Sequence, residues 1–487
     1  MTRRENMNLN QLTIKQAQEG LKSKKFSSIE LTKACLKQIK KLNPKINAFI
    51  TVCEKEALRD ATKADQQFNN LTTSNVADAI EQFNNYPVLG IPIAFKDLFS
   101  TKGIKTTAGS KVLKDYIPVY DATVVGKLKD AGAVIIGKTN LDAWAHGSSG
   151  ENSDFGATLN PWNNEFVPGG SSSGSPAALS ADMCIASTGT DTGGSIRLPA
   201  SFCNLVGLKP TYGRVSRNGV LAMVSSLDSI GHFTRTVEDS AILLNVTAKK
   251  DDFDATTPGV DVQNYTKNLN KGIKGIKIGV PKEYVTKGLD KHVQTKFEEA
   301  LKDLEELGAI MEEISLPHTE YGIAAYYIIQ PAEVSSNLAR YDGIRFGSGR
   351  ENFGGEAKRR IMLGTYTLSA GYYDAYYKKA MKVRTLIIKD FDTVFKKVDA
   401  IFAPVSPTPP WKLGEKINDP LKMYLSDIFT VTANLAGIPG ISVPMGFSDG
   451  LPIGMQILGP QFSESLLFQI GSAYEQATEW HKRKPTL

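Results

Sequence analysis

Two glycine- and serine-rich clusters, Pro168-Gly-Gly-Ser171-Ser172-Ser173-Gly-Ser175 and Gly189-Thr-Asp-Thr192-Gly193-Gly194-Ser195-Ile-Arg197, stand about 24 residues apart in the 487-residue chain. Such segments are usually only flexible loops. The second departs from that pattern because one isolated serine, Ser195, follows Gly-Gly and precedes a predicted helix. Glycines there permit a tight turn, and the successive N–H groups of Thr192, Gly193, Gly194 and Ser195 would converge on one point, as an oxyanion hole requires. The chemistry this arrangement suits is acyl transfer through a Ser195 nucleophile.

Serine is a poor nucleophile near neutral pH unless a base takes its proton. The histidines, His146, His232, His292, His318 and His481, offer no obvious base, and they form no HExxH or paired metal-ligand pattern. A lysine can serve if it is neutral. Gly90-Ile-Pro-Ile-Ala-Phe95-Lys96-Asp97-Leu-Phe99 places Lys96 within an apolar strand, where desolvation favours the uncharged amine. Bringing its pKa from ~10.4 to near 7 takes about 4 kcal/mol of differential interaction, which burial can supply. Spacing alone does not single out Lys96 among the chain's lysines.

Two further patterns point elsewhere. Gly132-Ala-Val-Ile-Ile-Gly137-Lys138-Thr139 matches the phosphate loop GxxxxGK[ST]. That loop needs a strand before its first glycine and flexible residues whose N–H groups wrap phosphate, whereas here a predicted helix precedes Gly132 and the intervening residues read as a strand. Gly170-Ser-Ser172-Ser-Gly174 matches the nucleophile elbow GxSxG, with Ser172 as nucleophile and later histidines available. Chain order leaves that reading open, but it ignores the second cluster.

Short apolar runs bounded by glycine and proline must position these residues. Residues 90–95 read as a strand, 122–131 as a helix stopped by Gly132, 133–136 as a strand, and 177–181 as a helix start leading into the run 183–187. Later, 276–280 and 310–316 read as strands around a helix over 293–307, and 399–404 and 441–444 as further strands. The alternation predicts an α/β fold, a large mixed β-sheet covered by helices on both faces. Residues 11–62 carry three- and four-residue apolar spacing, with Ser28 and Glu30 marking a helix start; they predict two or three helices forming an N-terminal arm over 1–65. Residues 66–487 would form the main domain, one structural unit with the arm, and the Asn- and Gln-rich stretch 66–86 a surface excursion.

Composition excludes some classes. With 41% hydrophobic and 22% charged residues the chain has ordinary globular values, and no apolar run approaches the ~18 to 20 residues that span a bilayer. The first residues, MTRRENMNLNQ, lack the apolar core of a secretion signal, so the expected location is the cytoplasm with no membrane contact. Cys35, Cys53, Cys184 and Cys203 are scattered and read as reduced packing residues. A net charge of +6 says little by itself about nucleic acid.

GIPIAFKDLFSTKG, VPGGSSSGS and GTDTGGSIRLPASF, in that order, resemble the amidase signature family, and the likeness extends from the N-terminal helices to roughly residue 470. The resemblance implies that Lys96 is the base, that Ser171 follows a cis peptide and relays the proton, and that Ser195 forms the acyl-enzyme. Within the family, stretches such as LVGLKPTYGRVSRNG, PAEVSSNLARYDGIRFG and NLAGIPGISVPMGFSDGLPIGMQILGP are similar to the A subunits of glutamyl-tRNA(Gln) amidotransferases. That likeness implies hydrolysis of free glutamine and delivery of ammonia to a partner within a heterotrimer with B and C subunits. The partner would use ATP and Mg2+ to amidate Glu-tRNA(Gln), with no cofactor in this chain and with tRNA held mainly by the partner. Glutamine carries a carboxylate and an ammonium group, so its pocket should offer a cation and an anion. The family places such groups at positions matching Arg360 and Asp427, with a tyrosine aligned to Tyr326. Departures from the family's pattern fall at Ser173, Pro176, Leu198 and His232, and residues 347–355 form a shorter segment; the last two features bear on specificity or the partner contact. The alternative is a free-standing amidase acting on small amides.

Overall fold

The computed structural model describes residues 8–71, 85–285, 288–345 and 347–487. Eleven strands form one sheet: β1 (Phe49–Val52), β2 (Pro92–Lys96), β3 (Val134–Thr139), β4 (Ala186–Asp191), β5 (Val206–Lys209), β6 (Ser229–Thr234), β7 (Lys277–Pro281), β8 (Ile310–Ile314), β9 (Ala400–Pro404), β10 (Gly440–Ser448) and β11 (Leu451–Leu458). Their order is β1-β3-β2-β4-β6-β5-β10-β11-β9-β7-β8. Pairing is parallel within β3-β2-β4 and within β9-β7-β8, and antiparallel elsewhere, so the sheet is mixed.

Successive side chains on a strand point to opposite faces, and β11 shows what covers each. Gly454 and Gln456 face the helix Arg197–Phe202: a Cβ on Gly454 would stand 3.0 Å from Ser201 Oγ, and Gln456 Oε1 accepts from Arg197 Nη1 at 2.8 Å. Ile457 faces the other way, toward Gly471 on the helix Glu464–Ala477. Helices therefore cover both faces.

The N-terminal arm is built into the same core. Its helices Ile14–Lys22 and Ser28–Ile46 bury Ile14, Leu21, Leu31 and Ile39 in the cluster that also holds Ile93 and Ile135 of the central strands. The cap of the second helix is Ser27 rather than Ser28: Ser27 Oγ accepts from Glu30 N and Glu30 Oε2 from Ser27 N, a capping box set one residue earlier than the sequence reading. The short strand β1, which the helical spacing hid, pairs antiparallel with β3. The helix Glu54–Leu71 runs across the 65/66 boundary, so residues 66–71 are helical rather than excursion; most of the remaining 66–86 stretch lies outside the described residues.

Candidate active site

Strands β2, β3 and β4 run parallel, so their carboxyl ends open at one edge of the sheet, where ligands of α/β proteins gather. Lys96 ends β2, while Thr190 and Asp191 end β4. Lys96 is fully buried, with Nζ 2.9 Å from Ser171 Oγ, 2.9 Å from Ser172 Oγ and 2.8 Å from Thr190 Oγ1. Ser172 Oγ donates its own hydrogen to the Thr190 carbonyl at 3.1 Å and can only accept from the lysine. A neutral amine has two hydrogens and one lone pair; Ser172 must take one hydrogen, and when Thr190 takes the other the lone pair is left to accept from Ser171. Burial pushes the Lys96 pKa down to about 7, against the opposing fields of Asp142, Asp228 and Asp191.

Ser171 lies in a segment tied down on both sides. The Gly170–Ser171 peptide is cis, Gly170 N donates to Ser148 O at 2.9 Å, and Ser171 O accepts from Asp142 N at 3.1 Å. A side chain on Gly170 would run into Asp142 Oδ2, which fixes glycine there. Ser171 and Ser195 are not hydrogen-bonded to each other. Ser195 Oγ has no hydrogen-bond partner among the described residues, and its residue is partly exposed between buried neighbours, which leaves the hydroxyl open to a ligand.

The Ser195 loop is organised by Asp191. This carboxylate accepts from Gly194 N at 2.9 Å, from Ile196 N at 3.2 Å, and from Arg197 Nε and Nη2 at 3.1 Å each. Burial alone would raise its pKa, but the Arg197 charge and hydrogen bonds outweigh that and hold it at about 2. Gly194, grouped with Thr192 and Gly193 as an oxyanion donor in the sequence reading, has its N–H committed to Asp191. The N–H groups of Thr192, Gly193 and Ser195 have no acceptor among the described residues, so the open donors are those three. Gly194 adopts φ +139°, and a Cβ there would collide with Thr430 Oγ1.

Tyr326, Arg360 and Asp427 converge beside this loop. A Cβ on Gly193 would be 2.8 Å from the Tyr326 hydroxyl, so that phenol lies against the loop. Tyr327, its neighbour on the helix Gly322–Leu338, donates to Asp427 Oδ2 at 3.1 Å, and its ring has the Arg360 guanidinium 5.2 Å from its centroid. Arg360 is buried on the helix Gly355–Thr367; Nε donates to Glu356 Oε1 at 2.7 Å, while the terminal nitrogens have no hydrogen-bond partner among the described residues. Ser148 Oγ donates to both Asp427 oxygens, at 3.0 and 2.9 Å. Burial raises the Asp427 pKa to about 7, opposed by the Ser148 and Tyr327 hydrogen bonds. A cavity of about 220 Å³ lined by Gly147, Asn152, Glu356, Arg360 and Tyr424 opens on the arginine side. The site thus gathers a buried cation and a buried carboxyl near a free hydroxyl. Ser148, Thr190 and Asp191 were not singled out in the sequence; Asp191 and Arg197 at the two ends of the DTGGSIR run were the available signal for the last.

The competing motifs have structural roles. Residues 134–139 of the phosphate-loop pattern are strand β3, fully buried, and Lys138 Nζ is 3.3 Å from Asp97 Oδ1 and donates to Phe99 O at 2.7 Å. Around Ser172 no histidine takes part: His232 is buried on β6 with Nε2 2.8 Å from Ser240 Oγ, and His318 pairs with Asp390. His232 is a core residue, its pKa pushed down to about 3 by burial.

The amidase family model matches residues 30–468, and the chain belongs to that family. Among its relatives, the A subunit of the glutamyl-tRNA(Gln) amidotransferase of Carboxydothermus hydrogenoformans is 52% identical over 99% of this chain and 100% of its own length. That of Geobacter metallireducens is 53% identical over 98% and 99%. The crystal structure of the corresponding Thermotoga maritima protein superposes with a TM-score of 0.82 at 45% identity, covering 97% of this chain and 96% of that one. The Stenotrophomonas maltophilia peptide amidase superposes at 0.82 with 30% identity over 97% and 98%. Among the described residues no helix is long and apolar enough to cross a membrane.

Proposed function

We propose that this chain is the glutamine-hydrolysing A subunit of a glutamyl-tRNA(Gln) amidotransferase. The observation that carries the reading is that buried Arg360 and buried Asp427 both contact Tyr327, Arg360 over its ring and Asp427 at its hydroxyl, next to Tyr326 and the Ser195 loop. A cation and a carboxylate at that spot suit the α-carboxylate and α-ammonium of an amino acid whose side-chain amide reaches Ser195. Full-length likeness to the named amidotransferase relatives supports the same substrate.

Ser195 Oγ attacks the γ-amide carbon as its proton passes to Ser171, whose own proton goes to neutral Lys96. Thr192, Gly193 and Ser195 N–H groups hold the oxyanion. The proton returns to the leaving nitrogen, the C–N bond breaks, and ammonia departs from a γ-glutamyl ester on Ser195. Water, deprotonated by the same relay, hydrolyses the ester to glutamate. Ammonia passes to the B subunit of a heterotrimer with B and C subunits in the cytoplasm, where ATP and Mg2+ activate Glu-tRNA(Gln).

Ammonia release from glutamine, asparagine and acetamide, with and without B and C subunits, tests this against Ser195→Ala. Glutamine-selective, Ser195-dependent release that rises with the partners is expected. Partner-independent release from acetamide would instead establish a free-standing amidase, a reading that likeness to the peptide amidase keeps in play.

A further inference from the structure

His146 and Gln330 are fully buried, and neither ring nitrogen of the first nor either amide atom of the second has a hydrogen-bond partner among the described residues. Buried polar groups in folded proteins are almost always paired. Four such atoms on two elements beside one site are donors and acceptors open to a polar ligand. Burial, with the Arg360 charge adding to it, holds the His146 pKa well below the usual histidine value. The ring is therefore neutral, with one N–H donor and one acceptor nitrogen.

Their positions in the fold put both on the wall that holds Arg360 and Asp427. Gln330 lies on the helix Gly322–Leu338. At about 3.6 residues per turn it falls between Tyr326 and Tyr327 around that helix and about 6 Å further along it. It shares the face on which Tyr326 meets Gly193 and Tyr327 meets Asp427. His146 lies on a loop pinned at two points beside the same helix. Trp144 packs on Tyr341, just past the helix end, with ring centroids 4.7 Å apart, and Ser148 donates to Asp427, which also takes the Tyr327 hydroxyl. The loop thus runs back along the helix from Tyr341 to Tyr327, with His146 midway and Gln330 within the span. Asn152 Nδ2 donates to the His146 carbonyl at 3.2 Å, and Asn152 and Gly147 line the cavity of about 220 Å³ that Arg360 also lines.

We propose that His146 and Gln330 are specificity-determining residues that bind the α-carbon end of glutamine beside Arg360 and Asp427. This rests on the function proposed above. A carboxylate needs hydrogen-bond donors and an ammonium needs acceptors; a neutral imidazole and a primary amide each offer one kind and the other. Arg360 and Asp427 supply charge, and the two neutral side chains supply direction. A small amide without the α-groups leaves all four atoms unpaired, and a site built on buried polar groups rejects such an analogue without any clash. Selectivity then carries a cost in the unliganded chain, because the orphaned groups stabilise nothing until substrate arrives.

Two readouts on the full chain test this in wild type, His146→Leu, Gln330→Leu and His146→Gln. The first is ammonia release from glutamine in the presence of B and C subunits. Each leucine variant is expected to raise KM about tenfold, the loss of one hydrogen bond to a charged group, with kcat within about threefold of wild type. His146→Gln keeps a donor and an acceptor and is expected to hold KM within about threefold. The second is the thermal midpoint, with and without glutamine, in a Ser195→Ala background that cannot turn substrate over. Without glutamine the leucine variants are expected to match or exceed wild type, and with it to gain less. A KM within about twofold of wild type in both leucine variants overturns the proposal. So does a midpoint lowered without glutamine, failure to fold included, because the two side chains then support the fold. If wild type releases no ammonia from glutamine, the functional reading fails and takes this inference with it, a result that wild type alone tells apart.

Discussion

Arg197 and Asp191 close the Ser195 loop on itself. Two nitrogens of the guanidinium each lie 3.1 Å from the carboxylate, both side chains are fully buried, and Ser195 sits in the turn between them. Arg197 also donates to Gln456 on β11, to Asn434 and to Thr430 O, which ties the loop to the C-terminal strands.

Arg197→Met should lower stability by about 3 kcal/mol or more, because it strands a buried carboxylate. The pH sign follows from Asp191, held at about 2 when folded. Its contribution is complete above the unfolded value of ~3.9 and is lost as pH falls toward 2. Thermal scans from pH 3 to 7 should therefore show the mutant deficit shrinking in acid; a deficit constant across that range contradicts the pairing.

In the proposed mechanism Lys96 must be neutral to accept the proton. Since burial sets its pKa at about 7, kcat for glutamine should climb as pH rises through 7 and level off near 8. Lys96→Ala should lower kcat at least ~100-fold with the thermal midpoint retained. Near-normal turnover in that variant would refute the relay.

Asp427 gives a separate signature in KM. Its carboxyl ionises near pH 7, so the anionic wall of the pocket forms as pH rises and KM for glutamine should fall. Asp427→Asn and Arg360→Gln should each raise KM about 10- to 100-fold, the worth of one charged hydrogen bond. If glutamine and its α-amide derivative suffered alike in Arg360→Gln, the arginine would not be reading the carboxylate.

Lys138→Ala tests the phosphate-loop coincidence. Removing the partner of buried Asp97 should cost about 3 kcal/mol or more. Calorimetry should show no ATP binding by the isolated wild-type chain; binding that disappears in the variant would reopen a nucleotide site.

Much of the fold was legible from residue order. Apolar runs such as 133–136 and 276–280 found strands because each is bounded by glycine or proline and rich in β-branched residues. Strand β1 escaped because four residues between two helices carry no period of their own. The burial of Lys96 was legible because its neighbours are apolar, while its proposed role came from the family likeness; Ser172, weighed only as a rival nucleophile, is a hydrogen-bond partner of the lysine that spacing cannot distinguish from Ser171. The turned-in N–H of Gly194 was invisible too, since which amide of a Gly-Gly pair stays open depends on where Asp191 sits. Arg360 and Asp427 are 67 positions apart, and only the family likeness brought them together before the structure did.

The strand order bears on how the protein is made. β10 and β11, which follow every other strand of the sheet along the chain, lie between β5 and β9 in the finished sheet. Until they emerge, an early half ending at β5 and a later half ending at β9 each hold an unpaired edge. Such edges invite pairing with other nascent chains. A chain stopped near residue 438 should thus be caught by chaperones or aggregate, even though Lys96, Ser171 and Ser195 have all been synthesised. These three residues arrive early, and the strands that join the two halves of the sheet around them arrive after every other strand of it.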